Sequence, residues 1–183
     1  MRRGTPGTVR RIRADEGPAL RTIRLAALAS DPLAFGSTFD VEELHPPSHW
    51  GQRASAGAAS DTDVILFLVH AASPPHGMVG AFTHEGSRYL WGMWVAPDRR
   101  GERAGAALLE AVLAWCAEHP AEHPVRLEVN PSQVAAVRLY ERHGFRPSAD
   151  DRPLGHHAPA TKRPMQLVRD AAGAGQADGT GQI

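Results

Sequence analysis

Lysine is nearly missing from this chain. Among twenty basic residues in 183, Lys162 is the only lysine and the rest are arginines, a compositional bias that leaves little lysine for self-modification. Cysteine is scarce as well. The lone Cys116 excludes an intramolecular disulfide, and the arginine-rich start lacks the apolar centre and cleavage site of a secretory signal, so a cytoplasmic location is expected. Long apolar runs are lacking too: Val64 to Val69 falls far short of the twenty or so residues that cross a bilayer. Net charge is zero, with twenty acids against twenty bases, so no whole-molecule field draws nucleic acid or anionic lipid, and any anion site must be local. His45, His49, His119, His123, His156 and His157 lack a metal-ligand spacing, and no metal is expected. No Ser-His-Asp or Cys-His arrangement is present either.

What is present is ordinary apolar and charged content for a globular domain, 42% and 22%, patterned into recognisable elements. Thr8 to Arg13 has room for a short strand. Leu20, Ile23, Leu25 and Leu28 recur at helical spacing over residues 17–30 until Asp31-Pro32 breaks the pattern, and Pro46-Pro47-Ser48 opens a second helix over about 49–56. Val64 to Val69 reads as a strand buried on both faces. Residues 77–84 and 88–95 form an antiparallel pair turning at Glu85-Gly86-Ser87. A helix follows at 102–118, with Leu108, Leu109, Val112, Leu113 and Cys116 as its apolar stripe, which makes Cys116 a buried small hydrophobe. Then come a strand at 125–130, a helix at 132–143 closed by Gly144, and strands near 145–149 and 165–168. Residues 1–7 and 170–183 carry too little apolar content to order. The order implies an α/β fold over 8–169, with a mixed, mostly antiparallel sheet flanked by about four helices.

Three chemical features stand out. Gly92 interrupts a bulky strand, as at a bulge or a close backbone approach. The turn Arg100, Gly101, Glu102, Arg103, Ala104, Gly105, Ala106 feeds a helix start, where free amides and the positive end of the dipole favour a phosphate. Arg99, Arg100 and Arg103 there oppose the dipole by about 0.3–1 kcal/mol each at exposed sites, a cost that makes sense where an anion binds. Tyr140 follows in the next helix, ahead of Gly144-Phe145, with Val134, Val137 and Leu139 expected to face the core.

This succession from Leu90 to Phe145 resembles the GNAT superfamily of acetyl-CoA-dependent N-acetyltransferases. The resemblance implies a fourth and fifth strand splayed apart, with acetyl-CoA along the fourth at Met93, Trp94 and Val95. It implies a pyrophosphate held by residues 100–106 and further contact from Asn130 and Gln133. Family members carry Arg or Gln, two variable residues, Gly, one variable residue, then Gly or Ala; Arg100 and Gly105 match, whereas Arg103 replaces the first glycine. The resemblance also implies that the tyrosine of Leu139-Tyr140-Glu141 protonates the departing thiolate, which a phenol still neutral at pH 7 can do.

An acceptor amine must be deprotonated to attack. Glu128 and the loop acids Asp40, Glu42 and Glu43 are candidate bases, with Glu128 and Glu43 preferred, and Phe35 and Phe39 beside the loop acids suit a cationic, partly apolar amine. The expected activity is acetyl transfer from acetyl-CoA to a primary amine of an antibiotic-, polyamine- or amino-acid-like molecule. A protein N-terminus or lysine as acceptor, and a non-catalytic acyl-CoA sensor, remain open alternatives. Expected partners are the amine and, left open, a second copy in a homodimer; nucleic acid and membrane are not expected.

Overall fold

Glycine and proline punctuation divides the chain almost where the pattern places it. The structure is a computed structural model that describes residues 7–70, 73–101, 103–155 and 158–168. The expected disorder of the termini falls, Gly7 apart, outside these residues. Strand β1 (Thr8–Arg11) precedes α1 (Gly17–Ser30), α2 (Phe39–Glu43) and α3 (Pro47–Ala59). Next come β2 (Asp63–Val69), β3 (Gly77–His84), β4 (Ser87–Val95), α4 (Ala104–Glu118), β5 (Arg126–Val129) and α5 (Val134–Arg142). The chain then adds β6 (Phe145–Pro147), β7 (Arg152–Pro153) and β8 (Thr161–Leu167). Single 3-10 turns lie at Pro32–Ala34 and Pro97–Arg99.

The eight strands form one mixed sheet ordered β1-β2-β3-β4-β5-β8-β6, with β7 on β8. Every pairing is antiparallel except β4 with β5. The β3–β4 hairpin turns on Glu85 and Gly86, both at positive φ (46° and 72°), the conformation that matches the right-handed twist of the flanking strands. Central strand β2 is buried at Val64 through Leu68, as its unbroken apolar run requires.

Each face of the sheet carries its own apolar cluster. On one, Leu108, Leu109, Val112 and Cys116 of α4 and Val137 and Tyr140 of α5 pack on Val64, Leu66, Val79, Leu90, Leu127 and Phe145. On the other, Leu20, Ile23 and Leu28 of α1 and Trp50 and Ala54 of α3 pack on Ile65, Phe67 and Met78. Burial pushes the Cys116 thiol up to about 11, so it is an inert core residue as expected.

The departures from the sequence reading are local. Among the described residues there are five α-helices, against the expected four or so. The extra one, α2, spans a single turn capped by Thr38, whose Oγ1 accepts from the Val41 amide at 3.4 Å. Strand β8 begins at Thr161, ahead of the expected 165, because β7 pairs with Thr161 and Lys162 and β5 with Arg163 and Pro164. Val134, expected in the core, is exposed at the first position of α5. Among the described residues no helix is long and apolar enough to cross a membrane.

Candidate functional site

The one parallel pairing positions the site. Strands β4 and β5 share a single registered pair, Tyr89 with Arg126, beyond which they part. From Leu90 onward the β4 edge therefore faces a cleft instead of a neighbour, and its backbone groups on that side are free to pair with a ligand. The cleft holds about 310 Å³ and is lined by Leu90–Val95 on one wall and Leu127–Asn130 on the other. Its remaining lining includes the turn Arg100-Gly101, Gly105 of α4, Gln133, Leu139 and Tyr140, and Asp31, Ala34 and Phe35.

Gly92 bends the β4 wall. The register runs Met78–Trp94 and then Gly80–Trp91, so β4 carries one more residue than β3 across this step, a β-bulge as expected. Gly92 sits there at φ +64°, where a side chain is strained, and a Cβ would come within 3.2 Å of Met78 Cε. Room for the Trp91 ring comes instead from Gly80, whose Cβ would lie 2.3 Å from that indole.

At the start of α4, the first helical hydrogen bond is Ala107 N–H to the Arg103 carbonyl (2.9 Å), which leaves the Ala104, Gly105 and Ala106 amides without helical partners. Gly101 has open space around it, with nothing within 4 Å of an added Cβ. Arg103, at the helix N-cap, adopts the left-handed conformation itself (φ 59°, ψ 12°). Its side chain is 85% exposed and runs back along α4 to within 3.8 Å of Glu110, so it does not block the turn. Of the residues expected at the cofactor, Met93, Trp94, Val95, Arg100, Gly101, Gly105, Asn130, Gln133 and Tyr140 line the cleft. Arg103, Ala104 and Ala106 belong to the same helix start without lining it, and Glu102 lies outside the described residues.

Arg100 is anchored twice. Its Nε donates to the Val95 carbonyl (2.9 Å) and its Nη2 to Asp31 Oδ2 (2.5 Å). The same carboxylate oxygen accepts from Trp94 Nε1 (2.9 Å) and Ser30 Oγ (2.7 Å). Burial alone would raise the Asp31 carboxyl, but the hydrogen bonds from Arg100, Ser30 and Trp94 outweigh it and hold the group below the usual carboxylate range. Sequence reasoning treated Asp31 as part of a helix break. Asp31 is in fact the post that ties α1, β4 and the Arg100–Gly105 turn together.

Asn130 is buried at 4% exposure and spans two loops: its Nδ2 donates to the Leu33 carbonyl (3.0 Å) and its Oδ1 accepts from the Ser132 amide (2.9 Å). It shapes the cleft more than it reaches into it. Tyr140 packs edge-to-face on Phe145 with ring centroids 5.8 Å apart, and among the described residues its hydroxyl has no hydrogen-bond partner. Burial pushes the phenol well above its ordinary value, so it stays protonated at neutral pH.

The expected bases fare differently. Glu43 is exposed and does not line the cleft, because the single turn of α2 points the preceding Glu42 inward instead. Glu42 is itself committed to Arg24, which donates Nε to both carboxylate oxygens (3.1 and 3.0 Å) and Nη2 to one (2.6 Å). Asp40 is exposed. The acidic amine pocket anticipated from this loop is thus not formed. Glu128 does line the cleft, yet Lys162 Nζ stands 2.6 Å from its Oε2 and Arg152 Nη2 3.5 Å from its Oε1. Neither carboxylate on the cleft, Asp31 or Glu128, is without a cation.

A parallel fork, a bulged strand and a helix N-terminus with free amides now stand together, and comparison with known proteins gives them a name. The profile of the acetyltransferase (GNAT) family matches residues 33–145. This chain belongs to that family. No curated protein sequence matches it. Among solved structures, a GNAT-family acetyltransferase from Streptococcus pneumoniae superposes with a TM-score of 0.74 at 17% identity, covering 88% of this chain and 99% of that one. A GNAT phosphinothricin acetyltransferase from Sinorhizobium meliloti, solved with acetyl-CoA, gives 0.72 at 15% identity and 88% of both chains. The ribosomal-protein-S18-alanine N-acetyltransferase of Escherichia coli gives 0.61 at 17% identity, covering 88% and 92%. At these identities the likeness speaks for the fold. The GNAT fold, an α/β arrangement on a forked mixed sheet, is the one this chain adopts.

Proposed function

We propose that this GNAT acetyltransferase moves the acetyl group of acetyl-CoA to a primary amine of a small molecule, with Tyr140 as the acid for the leaving thiolate. Its co-substrate, acetyl-CoA, suits the cleft's chemistry: an unpaired strand edge for the pantetheine amides, and free helix-start amides with open space at Gly101 for the pyrophosphate. The observation that carries the reading is the Tyr140 hydroxyl, neutral and unpartnered among the described residues, on the cleft opposite the free β4 edge.

In this reading the amine nitrogen attacks the thioester carbonyl, the carbon–sulfur bond breaks, the sulfur takes the Tyr140 proton, and the proton shed by the acylated nitrogen passes through water to the phenolate and restores Tyr140. Amides of the β4 edge at Met93 to Val95 stabilise the oxygen as charge develops on it. Burial strengthens the phenol's hold on its proton, but the same dry surroundings make a thiolate more basic, as burial does for the Cys116 thiol. With Glu128 and Asp31 both paired to cations, the amine enters already neutral, and the rate on rising pH follows the amine's own ionisation. The enzyme acts in the cytoplasm.

The test is thiol release from acetyl-CoA against a panel of amines, short peptides included, with Tyr140→Phe alongside. General-acid loss lowers kcat by about 10²–10⁴-fold, with acetyl-CoA affinity held. A Tyr140→Phe enzyme turning over at the parent rate removes the tyrosine from the mechanism, and a preference for peptides moves the acceptor to a protein terminus.

A further inference from the structure

Beyond the thioester end of the cleft, the packing of α1 and α3 against β4 holds more positive charge than it neutralises. Arg24 of α1 is 6% exposed, and its Nε and Nη2 are spent on Glu42. Its Nη1 is buried without a partner among the described residues, and it would lie 3.9 Å from a Cβ built on Gly92, the bulge residue of the cleft wall. Arg53 of α3 makes no hydrogen bond among the described residues; its guanidinium lies over Trp91, 4.3 Å from the ring centroid. The Arg24 guanidinium stands 5.9 Å from the same ring and 4.7 Å from that of Phe35.

Trp91 is where two hollows meet. It lines the cleft described above and also a second one of about 440 Å³, whose walls are Arg53, Ala56 and Gly57 of α3 with Asp63–Ile65 and Ala81–Thr83. Two guanidiniums stand at this junction, one or two residues along β4 from Met93: Glu42 is held by Arg24, and Asp63 on the wall of the second hollow makes no salt bridge with Arg53 among the described residues. Buried cations are ordinarily paired, and buried N–H groups ordinarily bonded. Here three buried side-chain nitrogens lack partners among the described residues: Arg24 Nη1, and His49 Nε2 and Trp50 Nε1 of α3. Burial lowers the Arg53 pKa, with Glu42 offsetting part of that and Arg24 adding to it, so this guanidinium is only partly compensated.

On the acetyltransferase reading above, we propose that the acceptor is an amino acid or close analogue, its carboxylate received by Arg24 and Arg53 beside Trp91 while its amine faces Met93. A planar carboxylate fits a guanidinium fork in two hydrogen bonds. Polycationic acceptors such as polyamines meet like charge at the same place.

The experiment uses matched acceptors: amino acids, their carboxamides and their decarboxylated amines, each assayed for thiol release from acetyl-CoA with the parent enzyme, Arg53→Gln and Arg53→Lys. Arg53 is the probe because its side chain lines the hollow and carries no hydrogen bond that the fold depends on. The parent prefers the carboxylate in kcat/KM by about ten-fold or more, the scale of one charge-assisted hydrogen bond. Arg53→Gln loses most of that preference through KM, Arg53→Lys keeps part of it, and acetyl-CoA affinity stays as in the parent. Carboxamides or decarboxylated amines used equally well overturn the proposal, as does a preference that survives Arg53→Gln. Acetyl-CoA binding without thiol release on any acceptor overturns it too but leaves the donor site standing. Failure to bind acetyl-CoA at all sinks the donor reading, and this proposal with it.

Discussion

Replacing Arg103 with glycine should make the protein more stable and its donor site weaker. A non-glycine residue at φ 59° and ψ 12° costs about 1–2 kcal/mol relative to right-handed backbone. Glycine removes that strain but gives back about 0.5–1 kcal/mol as freedom of the unfolded chain. The lost arginine contributes little in contacts, being 85% exposed and 3.8 Å from Glu110, and its charge opposes the α4 dipole by about 0.3–1 kcal/mol. The net is a stabilisation of roughly 1 kcal/mol, which for a domain of this size raises Tm by about 2–4 °C. Arg103→Ala separates the causes, since it removes the charge and keeps the strain; its Tm should lie between those of parent and glycine variant. Acetyl-CoA affinity should fall by about 2–5-fold in both variants, the dipole-scale value of one charge near a bound pyrophosphate. Thermal unfolding and equilibrium binding decide it. A glycine variant melting below the parent, or alanine and glycine variants melting together, would refute the strain account of this turn.

Two further perturbations probe the cleft's carboxylates. Asp31→Asn should cost about 2 kcal/mol at pH 7, since a charged acceptor of three hydrogen bonds becomes neutral. The sign on pH follows from the lowered Asp31 carboxyl: its contribution is whole above the ordinary carboxylate pKa and lost as pH falls through the native value, so the gap between parent and variant should close below about pH 4; a gap constant from pH 7 to pH 3 would count against the Asp31 post. Glu128→Gln should slow turnover by less than about ten-fold and leave the pH–rate profile unchanged, because Lys162 and Arg152 already hold that carboxylate; a loss of about 10²-fold or more would restore Glu128 as the general base.

The β4 bulge, the α4 start and α5 are written locally in the sequence, and the contacts that join them to the rest of the cleft are not. Gly92 as a bulge, the Arg100–Gly105 turn before a helix, and Tyr140 in an amphipathic helix ahead of Gly144 each depend on a few neighbouring residues, so periodicity and turn chemistry sufficed to place them. Even the departure at Arg103 was visible, although only the backbone shows that arginine adopting the glycine conformation and swinging its side chain clear. Other contacts around the cleft rest on pairings across the chain that no window contains: Asp31 with Arg100, Asn130 with Leu33, Arg24 with Glu42 and Arg53 with Trp91. Arg24 falls between Ile23 and Leu25 on a helix whose apolar stripe was plain, and an arginine there reads as the solvated face until Glu42 is brought beneath it. The single turn of α2 does that by pointing Glu42 inward, and so it converts an apparent acidic pocket into a neutralised pair with guanidinium to spare. A loop of acids expected to suit a cationic acceptor thus spends its one inward carboxylate on Arg24, and it is this pairing that led us to propose an acceptor bearing a carboxylate.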